Sequence, residues 1–386
     1  LDKVTKNPFN ISCFKIFLLE IPYFWAFASV AMLRYFFSKL GYALFTLFGV
    51  VTMIFFLFNV LPGDPARMML DQNEDSEQME AIRRKYGFDK PMSEQYLLYL
   101  NDLSPVSLHS TNSDDYSFFT DEKYTGVSLF SVGEKQFALK LPYLRESFHK
   151  TGKSVTEIIA DTLPNTAILA VFAILIAIFV GILLGIISAL YQNSFWDRLI
   201  AVVSTLGMST PSFFAAILFA WIFGFVLYEY TGLNMNGSLY EVDDFGEGKY
   251  IQWKNLILPA IVLGIRPLAV VVQLMRNSLL ETLNQDYIRT AKAKGLSMPK
   301  IIRKHTLKNS LNPVVTAVSG WFASMLAGAV FVEYIFGWNG LGKEIVDALN
   351  YQDLPVIMGA VLTIATTFIL INILVDLIYA YLDPRV

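Results

Sequence analysis

The sequence predicts an all-α integral membrane protein with six transmembrane helices and a large extracytoplasmic loop between the first two. Three observations carry this. The chain of 386 residues is 54% hydrophobic and 15% aromatic but only 16% charged, where an ordinary soluble domain holds about a quarter charged residues. Apolar runs long enough to cross roughly 30 Å of hydrocarbon as helix, about 20 residues each, recur along it. The charge is gathered between those runs, so the net value of -3 says little.

Taken in order, residues 1–31 read as an upstream extension or an interfacial segment, since Glu20 interrupts the apolar stretch 16–32 and Met32 is a plausible natural start. Residues 32–61 hold a short basic segment and the first span, 40–61. The loop 62–162 is the one sizeable soluble part. Within it 74–87 reads as a solvated helix and 89–103 as an amphipathic one, while 104–152 shows no readable element. The remaining spans, in the helical core 163–386, are 163–190, 199–228, 256–275, 313–332 and 354–382. Gly181, Gly185, Pro211, Gly264 and Gly328 would be poor choices in soluble helices. In lipid, small residues let helices approach, and neighbours re-satisfy a broken ladder.

Orientation follows from Lys and Arg near the span ends. Arg34, Lys39, Arg198, Arg385 and the run from Arg276 to Lys308 all fall on one side of a six-span map. That side is expected to be cytoplasmic, with both termini on it. The opposite loops are acidic or mixed, as in EVDDFGEG at 241–248.

Several chemistries find no support. Cys13 is the only cysteine, so no disulfide forms within the chain. His109, His149 and His305 are scattered without zinc-ligand spacing. TGKSVTE at 151–157 lacks the first glycine of a phosphate loop, Ser147 standing there. No nucleophile–base motif appears, so no catalytic, metal or cofactor residue is assigned. The basic stretch is nearly free of stacking aromatics and flanks membrane spans, which argues against nucleic acid.

That stretch, DYIRTAKAKGLSMPKIIRKHTLKNSLNP at 286–313, is the informative one. Tyr287, Ile288 and Ala291 share one face of a short helix, and Arg289 and Lys292 lie on another. Gly295 is placed to stop it. Ser297 can cap a second helix, with Pro299 in its first turn, where Lys300, Lys304 and Lys308 recur at every fourth position. A helix, glycine turn and helix would make a rigid knuckle suited to a groove on another protein. An ordinary connecting loop is the plainer alternative.

The stretch resembles the EAA loop of ABC-transporter permeases, in the version of the dipeptide/oligopeptide/nickel importers. The general pattern opens Glu-Ala-Ala-x-x-x-Gly. Here Arg289, Thr290 and Ala291 take the first three places, Gly295 is kept, and His305, Leu307 and Lys308 occupy the later ones. The contact made by the family's first Glu therefore does not carry over. LPGDPA at 61–66, GMSTPSFF at 207–214, FVEYIFGWNGLG at 331–342, with Asn339 in place of a proline, and VDLIYAYLDPRV at 375–386 resemble further family stretches in the same order. The resemblance covers roughly 32–72 and 155–386.

It implies a fold of the type I ABC importer permease kind in the bacterial inner membrane. The implied role is the translocation subunit of an ATP-driven importer of di- and oligopeptides, with nickel chelates, glutathione and oligosaccharides as the alternative substrates within the family. The implied partners are a second homologous permease, two ATPase subunits that hydrolyse ATP, and an extracytoplasmic binding protein; the chain itself would be no enzyme and hold no cofactor. Tyr287, Ile288, Ala291 and Gly295 would fill an ATPase groove, Arg289, Lys292 and Lys304 would meet its acidic rims, and Thr290, His305 and Leu307 complete the coupling set. Arg266, near the centre of the fourth span, is read as lining the path, with a backbone carbonyl or a headgroup as its alternative partner. A stand-alone secondary transporter is the competing class, and it needs ionisable residues at mid-membrane.

Overall fold

The computed structural model describes residues 37–57, 76–113, 115–242 and 248–382. The extension 1–31, the LPGDPA turn, most of the acidic loop at 241–248 and the end of the C-terminal motif lie outside them. By contacts the chain forms two units, 1–53 and 54–386. Helix α1, Phe37–Leu57, straddles that division. In the first unit it turns Tyr42, Phe45, Phe48 and Met53 outward, as a lipid-facing helix does.

In the second unit the chain after α1 builds a small α/β domain before returning to long helices. Helices α2, Ser76–Tyr86, and α3, Met92–Leu103, match the two read from the sequence. The stretch read as featureless is instead an antiparallel sheet: β1, Val106–Ser110, and β2, Gly126–Val132, flank the central β3, Lys135–Lys140. The turn between β2 and β3 is two residues, Gly133–Glu134, with Gly133 at φ +62°. Asp102 is the domain's hub. Its carboxylate accepts from Tyr116 Oη (2.7 Å), Tyr124 Oη (3.3 Å) and Arg145 Nε (3.1 Å), and its carbonyl from Lys140 Nζ.

Asp353 ties the domain to the helical core. It accepts from the backbone N–H groups of Phe148 (3.1 Å) and His149 (3.2 Å) and from Ser147 Oγ. The His149 ring stacks on Tyr351 at 4.0 Å.

Helix α4, Val155–Leu190, starts where Ser154 Oγ accepts from Glu157 N, so TGKSVTE is a helix cap rather than a phosphate loop. The third predicted span is two helices, α5, Phe195–Ser209, and α6, Ser212–Trp221, which meets a π-helical turn, Ile222–Val226. The pair bends by 111° at Thr210–Pro211, because Pro211 has no N–H to continue the ladder. After the short α7, Tyr228–Thr231, come the hairpin strands β4, Tyr240–Val242, and β5, Lys249–Ile251. Helix α8, Lys254–Leu283, is the centre of the bundle, with 67% of its apolar window buried against 33% for α4.

The basic connection follows. The fifth predicted span is again bent, α12, Asn312–Gly328, against α13, Val330–Phe336. Helices α14, Leu341–Asn350, and α15, Leu354–Leu382, complete the chain. Among the described residues four helices are thus long and apolar enough to span alone, and up to six spans result if each bent pair counts as one.

Helices α4 and α8 meet almost backbone to backbone. A Cβ on Gly264 would stand 2.7 Å from the Ala173 carbonyl oxygen, and Cβ atoms on Gly181 and Gly185 would stand 2.7 Å from Val271 and Met275. Around this contact Leu169, Ala170, Ala216, Val262, Ala329 and Phe336 form the main buried cluster. Trp338, fully buried, donates from Nε1 to the Asn165 carbonyl at 3.1 Å.

Candidate coupling knuckle

Helix α8 passes through Asn284 and Gln285 into α9, Asp286–Ala293. Gly295 ends α9 with φ +76°, a conformation open to glycine and resisted by branched side chains. Gly295 N donates to Lys292 O (2.9 Å) and Leu296 N to Ala291 O (3.3 Å). Those two bonds are the Schellman pattern, which satisfies the last carbonyls of a helix. Its usual hydrophobic contact is present too, since Leu296 packs on Ile288, Ala291 and Ile301.

The return starts at α10, Met298–Ile301, with Pro299 in the first turn. Ser297 holds the cap position, but its side chain makes no cap bond; its carbonyl accepts from Lys300 N and Ile301 N instead. The single second helix expected here is interrupted by a π segment, Ile302–Thr306, before α11, Leu307–Ser310. The wider turn shifts the spacing of Lys300, Lys304 and Lys308, yet all three remain exposed.

The knuckle is closed at its base. Ser310 Oγ lies 3.1 Å from Thr282 Oγ1 and donates to Ser278 O at 3.3 Å, and Asn309 Nδ2 donates to Tyr287 Oη at 3.0 Å. Sequence reasoning passed over Ser278, Thr282, Asn309 and Ser310. A polar residue at each end of the basic run was the signal available.

Two expected groove-filling residues need correction. Ile288 and Ala291 are 0% and 5% exposed and form the knuckle's own core with Ile301. They hold its helices together and present nothing to a partner. Tyr287, Arg289, Thr290, Lys292, Gly295, Lys304 and His305 are exposed, and Leu307 is half-buried. Arg289 meets Asp286 at 3.3 Å with both side chains in solvent, a pair worth at most about 1 kcal/mol. The surface is therefore rigid and strongly basic.

Below the knuckle Arg276 grips Asp197 with two bonds, Nε to Oδ1 at 2.8 Å and Nη2 to Oδ2 at 2.9 Å. Asp197 also accepts from Asn193 N (2.8 Å) and Ser188 Oγ. A two-pronged Arg–carboxylate pair fixes geometry as well as charge. It locks the start of α5 to the helix that carries the knuckle. Arg266 stands apart from this group. It is exposed on α8 between Pro259 and Pro267, with no ion pair among the described residues.

The family described as binding-protein-dependent transport system inner membrane component matches residues 181–386, and its N-terminal counterpart matches 32–170. The dipeptide transport system permease protein DppB of Alkalihalophilus pseudofirmus is 34% identical over 368 residues, covering 92% of this chain and 99% of that protein. DppB of Escherichia coli K12 is 33% identical over 373 residues, with the same 92% and 99% coverage. A chain of the MetNI methionine ABC transporter in an inward-facing conformation is similar at 16% identity and a TM-score of 0.46, over 59% of this chain and 98% of that one. The chain belongs to the family of binding-protein-dependent transport system inner membrane components.

Proposed function

We propose that this chain is the permease subunit of an ATP-driven importer of di- and oligopeptides, working beside a second homologous permease, with two ATPase subunits on the cytoplasmic side and a binding protein on the other. The peptide class rests on the dipeptide permeases to which the chain is similar over most of its length. The observation that carries the coupling role is the closed, basic knuckle at 286–310, rigid at Gly295 and sealed at its base. Arg289, Lys292 and Lys304 meet an acidic partner surface, with Tyr287, Thr290, Gly295, His305 and Leu307 in or beside the contact. Motion of an ATPase passes through the knuckle into α8, and through the Asp197–Arg276 pair into α5. Both termini lie on the cytoplasmic side, and the domain at 76–154 lies on the opposite one. Arg266 lines the path and attracts peptide carboxylates.

The test is co-purification of the ATPase together with substrate-stimulated hydrolysis, using the level of permease in the membrane as control. Gly295→Val redirects α10 and is expected to lose the ATPase or its coupling while the spans stay inserted. Charge reversal at Arg289 and Lys292 is expected to weaken docking more at low salt than at high, because exposed charges are screened over about 8 Å at physiological ionic strength. Wild-type behaviour in both variants would reduce the knuckle to a topology signal. Transport without any ATPase would favour a secondary transporter.

A further inference from the structure

The α/β domain carries a cleft of about 410 Å³ between the end of α2 and the segment 115–123. Small-ligand sites begin at about 300 Å³. Aromatic rings form part of its wall, Tyr86, Phe118 and Tyr143 among them, and Lys123, Glu122 and Glu146 share it.

Its cations are unequally used. Arg145 is bound to Asp102 at 3.1 Å. The Lys123 ammonium is half-buried; it donates to the Tyr116 carbonyl at 2.5 Å and stands 3.6 Å from the Tyr116 ring centre. Among the described residues no carboxylate is in ion-pair contact with it. An ammonium has three donors, of which one is used on the Tyr116 carbonyl, and Lys123 lines the cleft. Burial, partly offset by the Asp102, Glu146 and Asp115 charges at longer range, holds this ammonium down to about 8. A ligand carboxylate would supply the direct ion pair that it lacks. Glu122 and Glu146 offer the opposite sign to an amine, and the rings suit an apolar side chain.

We infer that this cleft binds a short peptide with free termini, its terminal carboxylate on Lys123, its ammonium toward Glu122 and Glu146, and a side chain against the aromatic wall. The choice of peptide rests on the function proposed above. The site itself is separate from Arg266 and from the knuckle, and it needs no ATPase.

The experiment titrates the dipeptide Phe-Ala into the full-length permease in lipid nanodiscs, without binding protein or ATPase, by calorimetry. Wild type is expected to bind. Lys123→Gln and, on wild type, the C-terminally amidated dipeptide are each expected to bind about tenfold more weakly, the loss of one charge-assisted contact. Lys123→Arg should keep the affinity within about threefold because it keeps the charge, and Arg266→Gln should leave it unchanged. No binding by wild type, equal binding of acid and amide, or loss on Arg266→Gln alone would each overturn the inference. If Lys123→Gln fails to fold, the acid–amide comparison on wild type decides. Binding that persists while proteoliposomes holding the second permease, the ATPase subunits, the binding protein and ATP fail to transport peptides would overturn the proposed function and keep this site. Transport without binding here would do the reverse.

Discussion

The helical bundle and the α/β domain of the second unit solve the same problem of cohesion with opposite materials. The bundle joins α4 to α8 through absent side chains, at Gly181, Gly185 and Gly264, and through alanines such as Ala170 and Ala173. In lipid there is little hydrophobic drive between helices, so close van der Waals contact must do the holding. The domain is built around a buried carboxylate, Asp102, ringed by tyrosines and cations. Water outside the domain makes burial of aromatic surface favourable, and every polar atom that goes inside must then be partnered. Bundle stability should therefore answer to added volume, and domain stability to charge.

The largest effect should come from Asp102→Ala. Removing one member of a buried ion pair costs about 3–5 kcal/mol, and here the Arg145 guanidinium and two hydroxyls lose their acceptor. The domain is expected to become sensitive to limited proteolysis between 76 and 154, while helical circular dichroism stays near wild type. Full protection of the domain would refute the hub.

Adding volume to the bundle should rank next. Gly264→Val puts a Cβ against the Ala173 carbonyl and is expected to cost about 1–3 kcal/mol, as overpacking does. A thermal aggregation assay in detergent reads this as a lower midpoint. Gly320→Ala, whose Cβ meets nothing within 4 Å, is the neutral control. An equal fall in both would mean that the α4–α8 contact is not the tight one.

Acidification should give the smallest effect on the domain. His109 is buried, with Nδ1 donating to Ser117 O at 2.9 Å and Nε2 beside Ser107 Oγ at 2.8 Å. Burial, aided by the Lys140 and Lys123 charges, holds its pKa below the usual histidine value. The unfolded chain then takes up the proton first, so domain stability falls as pH drops below about 6.5. Proteolytic susceptibility of the domain should rise between pH 7 and pH 5 in wild type and change less in His109→Gln. Identical slopes would show that other groups carry the dependence.

The same division governs what could be read in advance. Hydropathy located the spans found among the described residues, because roughly 20 apolar residues are a local requirement of the bilayer. It did not show that two of them bend, although Pro211 marked one break. The sheet went unread, since β3 pairs with β1 across a long connection. The short Gly133–Glu134 turn between β2 and β3 was a hairpin signal that could have been used.

The sequence by itself determined the spans, the basic character of 286–313 and the stop at Gly295, each a property of a residue and its immediate neighbours. Only the tertiary structure decided that Ile288 and Ala291 face inward onto Ile301, that Arg276 holds Asp197, and that Lys123 borders a cleft. Apolar periodicity and a positive φ are enforced within one turn of backbone. A burial or an ion pair between remote residues has no local cause, and it exists only once packing has brought its two halves together.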